Sequence, residues 1–413
     1  MAVKWRATTL GQLTDFLSGG TPSKDAPEYW GGSVPWVSAK DMKRFRLDDT
    51  EDHVTADGIA NGTKLVPAGT ILLLVRGMTL LNDLPICVTS RPMTFNQDVK
   101  ALRPKAGVRS DFLSYLLLGN KERLLGLVDL AGHGTGRLNS DELRALDVVL
   151  PPEPEQYAIT RILAALDDKI DLNRRTNETL ESIARAIFKS WFVDFDPVRA
   201  RAEGRQPAGM DAATAALFPA ALNGTTLGFI ATGWRVSPLS DISEFAYGKA
   251  LKEEDRRPGR IPVFGSNGQV GWHDTSLVRG PGVVIGRKGN PGVVKWAAVD
   301  FFPIDTTFYL LPRNHASISY LFHLLESLNL PLLGSDSAVP GLNRGMAYMS
   351  EVIVPPPAVQ QAFERLVAPL RRMETQKDEE IRTLAEIRDA LLPKLLSGEL
   401  RIRDAEKLVE AHT

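Results

Sequence analysis

The 413-residue chain contains a single cysteine, Cys87, so it can close no internal disulfide and no cysteine-based metal site. That usage suits a reducing cytoplasm. Long apolar runs are missing as well. The stretch LVPAGTILLLVRG is broken by Pro67, Gly69 and Arg76, and no membrane-spanning helix is expected. The opening MAVKWRATTL has no basic segment followed by an apolar one and does not read as a signal peptide. Neither sign of charge is in excess: 49 basic and 50 acidic residues leave a net charge of −1. A balance of that kind argues against a protein that grips nucleic acid through bulk electrostatics alone. At 43% hydrophobic and 24% charged, the composition supports well-filled cores, and the length suggests more than one domain.

Catalytic signatures are also lacking. No GxxxxGK[ST] loop, HExxH pair or GxSxG elbow is present. The run GRKGNPG (286–292) reads as a turn between strands. Asp194 and Asp196 in WFVDFDP lack the following Glu-x-Lys that a nuclease would need. The histidines (53, 133, 273, 315, 323 and 412) form no i, i+4 pair and have no cysteine partner, so no metal site is expected.

What the chain does contain is a long internal repeat. GRLNSDELRALDVVLPPEPEQ, from Gly136, has its counterpart in GLNRGMAYMSEVIVPPPAVQQ, from Gly341. Leu138-Asn139 align with Leu342-Asn343, and VVLPP (148–152) aligns with VIVPP (352–356). Trp5 matches Trp234, VPWVSA (34–39) is echoed by IPVFGS (261–266), and DFLSYL (111–116) resembles ISYL (318–321). Each half runs from a strand-rich block through a short apolar strand and a proline cluster into a long helix. Strands are expected within 69–77, 95–104, 281–289 and 304–312, with mostly antiparallel pairing, and helices near 110–128 and 316–328.

Beyond each proline cluster the period becomes helical. In 155–192 a seven-residue row runs Ile159, Leu166, Asn173, Leu180, Ile187, with a second row of Ile162, Lys169, Thr176 and Ile183. In 358–397 the rows are Phe363, Leu370, Lys377, Leu384, Leu391 and Leu366, Met373, Glu380, Ile387. Both seams are apolar at the ends and polar in the middle, where Asn173 and Asn177 could fix register. Helices of roughly 55–60 Å, at 1.5 Å per residue, exceed what a small block can cover, so they are expected to pair antiparallel. Pro369 should kink or break the second one. The fold class expected is α+β: two duplicated α/β domains joined by two long helices packed as an antiparallel coiled coil. The bounds are 1–150 and 229–354 for the domains, 151–196 and 355–413 for the helical regions, and 197–228 for a Pro-, Ala- and Gly-rich linker.

With no chemistry in sight, binding remains. Two similar, non-identical faces suit a two-part ligand on a repeating polymer, and duplex DNA is the obvious candidate. Base readout needs polar loop residues at groove depth. In the first block the candidates are Thr21, Ser23, Lys24, Lys40, Arg76 and Arg137. In the second they are Lys249, Lys252, Asn267, Arg287, Lys288, Asn290 and Arg344.

Several segments carry a resemblance. SGGTPSKDAPEYWGGSVPWVSAKDM, the central VVLPPEPEQYAITRILAALDDKIDLNRRTNETLESIARAIFKSWFVDFDPVRA and the terminal LLPKLLSGELRI resemble the specificity subunit of type I restriction–modification systems. The resemblance implies two target-recognition domains reading the halves of a bipartite double-stranded DNA site. It also implies helical regions that act as spacer and docking surface. Two methyltransferase subunits and two restriction subunits would be the protein partners. S-adenosylmethionine, ATP and Mg would belong to them, leaving this chain non-catalytic, cytoplasmic and without a cofactor of its own. A specificity protein of a related methyltransferase–nuclease fusion, or a structural scaffold that binds no DNA, are the alternatives.

Overall fold

A computed structural model describes residues 5–131, 134–335 and 341–410; His133 and His412 lie outside them. The chain divides into two compact units, Met1–Leu172 with Glu380–Thr413 and Asn173–Glu379, so the division cuts through both long helices. The sequence-based bounds follow the order of elements; the units follow packing. Among the described residues no helix is long and apolar enough to cross a membrane.

In the first unit a five-stranded sheet runs Thr14–Ser18, Val99–Pro104, Ile71–Leu74, Ile86–Thr89, Arg46–Leu47. Ile71–Leu74 lies at its centre and all four residues are buried, which is why this strand reads as an unbroken apolar run. Helix Ser110–Gly119 packs on this sheet. It stops at Asn120, followed by a separate turn of helix, Lys121–Leu125, and then strand Val128–Ala131. The single helix expected to 128 is therefore two. In the second unit the main sheet runs Ser243–Tyr247, Thr307–Pro312, Gly282–Gly286, Val294–Ala297. Pairing is mostly antiparallel, with parallel pairs such as Trp30–Val37 beside Thr94–Phe95 and Ile261–Gly265 beside Phe302–Pro303.

The repeat is carried in detail by side chains. Buried Gln156 accepts a hydrogen bond from the backbone N–H of Arg109 at 3.0 Å and donates to the Pro151 carbonyl at 2.9 Å. Buried Gln360 accepts from Ser317 N–H at 2.9 Å and donates to the Pro355 carbonyl at 2.9 Å. Each glutamine ties the start of its long helix to the N-cap of the helix packed against it. Asn139 and Asn343 likewise cap the short helices Ser140–Ala145 and Arg344–Met349.

The long helices are Glu153–Phe188 and Pro357–Ser397. They run antiparallel within each unit. Asp167 and Lys169 meet Arg388 and Glu380 in the first, and Asn177 meets Asp378 in the second. Ile159, Leu166, Leu180, Leu384, Leu391 and Phe363 are buried, with Ile187 and Leu370 half-buried. The second row differs from the expected one. Ile162 is buried as expected and Ile387 half-buried, but Ile183, Leu366 and Met373 are exposed, whereas Leu163, Ile170 and Ala184, and Val367, Glu374 and Leu395, are buried. In both helices the second buried row sits four residues after the first, not three, which follows from a 3.6-residue turn and the backward tilt of helical side chains.

One further expectation is corrected. The helix does not break at Pro369. The only acceptor its missing N–H leaves free is the carbonyl of Arg365, and both residues are exposed to water. The segment expected as a linker, 197–228, is ordered. It contains helices Asp196–Ala202 and Ala212–Ala215, and Phe218 is 1% exposed, edge-on to Trp191 at 5.1 Å. Its apolar residues (Val198, Ala200, Ala215, Phe218) suffice to anchor it, although they are diluted by Gly, Pro and Arg.

Candidate nucleic-acid interface

In the first unit the loop after strand Thr14–Ser18 carries Thr21, Ser23 and Lys24, all exposed. Gly19 must be glycine there, because a Cβ would lie 2.1 Å from the Phe95 carbonyl oxygen. The Thr21 hydroxyl donates to Gln97 at 2.7 Å. The Ser23 hydroxyl accepts from Asp25 N–H at 3.3 Å, and the Ser23 carbonyl accepts from the Trp30 indole at 3.0 Å. Lys24 faces a concavity shared with Trp30, Glu51, Asp52 and His53. Lys40 is committed to two of those acids, Asp52 at 2.9 Å and Glu51 at 3.0 Å. These hydrogen bonds, with Asp52 first, raise its pKa.

Arg76 and Arg137 come together elsewhere. They are direct partners across the antiparallel pair of Arg76–Gly77 and Thr135–Leu138, both exposed. Among the described residues neither side chain has a hydrogen bond or ion pair. They line a second concavity with Gln97, Asp98, Lys100 and Asn139. Lys100 donates to the Ser18 hydroxyl, and burial lowers its pKa, helped by Arg144 and Lys64. Thr21, through Gln97, belongs to this same group, whereas Lys24 and Lys40 belong to the more acidic one.

In the second unit Lys249 and Lys252 are exposed, and Lys252 pairs with Glu254 at 3.2 Å. Asn267 lies at the exposed turn between strands Ile261–Gly265 and Gly268–His273, and Asn290 at the turn after Lys288. Arg287 donates to the Asp305 carbonyl at 2.9 and 2.7 Å, and its guanidinium lies 5.5 Å from the centre of the Tyr247 ring. Arg344 lies over the same ring at 4.9 Å and donates to the Phe245 carbonyl. The structure thus clusters Arg287 and Arg344 on an exposed tyrosine, leaving Lys252 and Asn267 apart. Two guanidiniums against one ring make a cation–π arrangement.

Among the members of these clusters that escaped the sequence reading are Gln97, Lys100 and Tyr247. Tyr247 ends a strand whose inward residues Ser243 and Phe245 are buried. An aromatic on that face, placed just before a glycine, was the available signal. Lys100 sits in the middle of an ordinary strand and gave none. The lone thiol, Cys87, is buried, and burial pushes it up to about 12, so it is no nucleophile. Among the described residues no cluster of metal-ligand side chains occurs.

The two interfaces can be superposed by backbone pairing. Leu138 N–H bonds the Val75 carbonyl, and Leu342 N–H bonds the Arg287 carbonyl. Arg76 opposite Arg137 therefore corresponds to Lys288 opposite Gly341, which pair as an isolated bridge. Strand Thr14–Ser18 corresponds in the same way to Ser243–Tyr247, with Ser18 at the place of Tyr247. The framework is duplicated while the exposed side chains on it are not.

Residues 2–182 match the type I restriction modification DNA specificity domain. The chain is 26% identical over 431 residues to the type I restriction enzyme MjaIX specificity subunit of Methanocaldococcus jannaschii, covering 97% of this chain and 94% of that protein. It is 34% identical over 187 residues to the EcoR124I/EcoR124II specificity subunit of Escherichia coli, covering 45% of this chain and 44% of that protein. The fold matches the crystal structure of a type I restriction–modification S subunit from M. genitalium with a TM-score of 0.55 at 18% identity, over 95% of this chain and 96% of that one. Likeness to the specificity subunits of type I restriction–modification enzymes thus runs through both units and both long helices.

Proposed function

We propose that this chain is the non-catalytic specificity subunit of a type I complex, each unit reading one half of a bipartite double-stranded DNA site. The observation that carries the reading is a duplicated framework whose exposed residues have diverged: Arg76 and Arg137 stand where the second unit has Lys288 and Gly341. A reader must vary where it reads and keep the scaffold that holds the reader. Methyl transfer and cleavage then fall to two methyltransferase and two restriction subunits, which bind S-adenosylmethionine, ATP and Mg. The exposed apolar row Leu366 and Met373 on the C-terminal helix, with Ile183 on the central one, suits docking of such a partner. Partners that clamp the DNA backbone also relieve this chain of the need for a strongly basic surface.

The test is a genome-wide map of methylated adenines in cells with and without this chain. A single bipartite motif should disappear on deletion. Lys24→Ala should then alter one half of the motif, and Asn290→Ala the other. An unchanged map would remove the DNA-specificity reading.

A further inference from the structure

We propose that Arg76 and Arg137, with Lys100, form a seat for one backbone phosphate of the DNA held by the first unit. The proposal rests on the DNA-reading assignment above and gives these residues a positioning rather than a sequence-reading role.

Directly opposed residues of an antiparallel pair place their Cβ atoms about 4.5–5.5 Å apart on one face, and like charges there are destabilising. Arg76 and Arg137 are such a pair. Asp129 faces Arg137 from its other flank and Asp98 lines the concavity, yet neither forms an ion pair with either arginine. The fold does not require the repulsion, since the second unit builds the same bridge from Lys288 and Gly341. A juxtaposition of cations that the fold does not force, and that no ion pair among the described residues relieves, calls for a ligand that brings the missing charge.

That ligand is an anion rather than a base edge. A base presents neutral donors and acceptors that one guanidinium fork satisfies. Two guanidiniums and an ammonium around one hollow match a phosphate, whose oxygens accept paired N–H donors from arginine. Lys100 adds its charge from the neighbouring five-stranded sheet, so three separate strands converge on the hollow.

The experiment uses the full-length chain, Arg76→Gln and Arg76→Glu, and a random-sequence duplex as probe. Without DNA, Arg76→Glu converts the facing pair into opposite charges and should raise the melting temperature by about 1–3 °C at low salt, with Arg76→Gln between it and the parent. Both variants should bind the duplex several-fold more weakly, and the slope of log affinity against log salt should fall by about one. In cells the methylated motif should keep its sequence. A lowered melting temperature would make the pair a structural element, and an unchanged salt slope would remove the phosphate; either overturns the seat. A motif altered at one half would make Arg76 a base reader instead. If the methylation map were unchanged on deletion of the chain, the DNA-reading assignment itself would fall, and the seat with it.

Discussion

The Tyr115 hydroxyl donates to the Asp167 carboxylate at 2.7 Å, joining the sheet-packed helix of the first unit to its central helix. Arg388 on the C-terminal helix donates to the other oxygen of that carboxylate at 2.7 Å. Asp167 is 4% exposed, so its charge is tolerated because both oxygens are engaged. Removing one partner leaves a buried charge uncompensated, a change that costs on the order of 3 kcal/mol. Arg388→Met should therefore lower the urea-unfolding free energy by about that much. Adding Tyr115→Phe and Asp167→Leu to it should recover most of the loss, because an apolar triad has no charge to satisfy. Small, additive losses across the three changes would show that the network is not coupled.

The buried and exposed rows of the helices make opposite predictions. Val367→Asp should destabilise by several kcal/mol, because an unpaired carboxylate would enter a fully buried position. Leu366→Asp, one residue earlier but 45% exposed, should leave the melting temperature nearly unchanged. The same variant should weaken assembly with the methyltransferase subunit, measured by co-elution on a sizing column. Equal destabilisation by both substitutions would place Leu366 inside the helix pair and restore the three-residue spacing.

Much of this architecture was legible because two copies of it lie in one chain. The alignment of Leu138-Asn139 with Leu342-Asn343 marked two equivalent positions, which the structure shows to be helix caps, and VVLPP with VIVPP located the strands that precede each long helix. Seven-residue periodicity gave the first buried row but not the side on which the second lies. Position three or four depends on how each helix turns toward its neighbour. Phe218 escaped because one aromatic among Ala, Gly and Pro carries no period. The interface was less legible still. Arg76 and Arg137 are distant in sequence and became a pair only through strand register, and Tyr247 acquired meaning only beside Arg287 and Arg344.

Pro369 lies within the continuous helix Pro357–Ser397, at an exposed position. Pro369→Ala restores the N–H that would bond the Arg365 carbonyl and removes the ring's clash with the preceding turn. Interior proline costs about 3 kcal/mol relative to alanine, so a gain of about 1–3 kcal/mol is expected in thermal or urea unfolding. A loss of stability would mean that the surrounding packing depends on the proline ring itself. If stability rises while assembly with partner subunits weakens, the proline serves docking.

His323 should make the second unit sensitive to mild acid. It is 2% exposed, and its Nδ1–H donates to Glu326 at 3.2 Å while Nε2 faces the Arg371 guanidinium at 3.5 Å. Arg371 is itself held over Trp296 and Phe322, at 5.3 and 4.9 Å, and paired with Glu374 at 2.9 Å. A proton on Nε2 would meet that guanidinium in a desolvated site. Burial, and then the charge of Arg371, accordingly hold the His323 pKa below its ordinary value against the pull of Glu326. The unfolded chain titrates near 6.5, so between that pH and the lower folded value it binds the extra proton. Stability is then fully present above about pH 6.5 and is lost as the pH falls through the window. Burial raises the Glu374 pKa, which acts in the opposite sense, but nearer the carboxylate range. Unfolding free energies measured from pH 7.5 down to about 5.5 should decline in the parent and stay flatter in His323→Gln, whose amide can still accept from Arg371 and donate to Glu326. Parallel curves for the two proteins would assign the acid sensitivity to other groups.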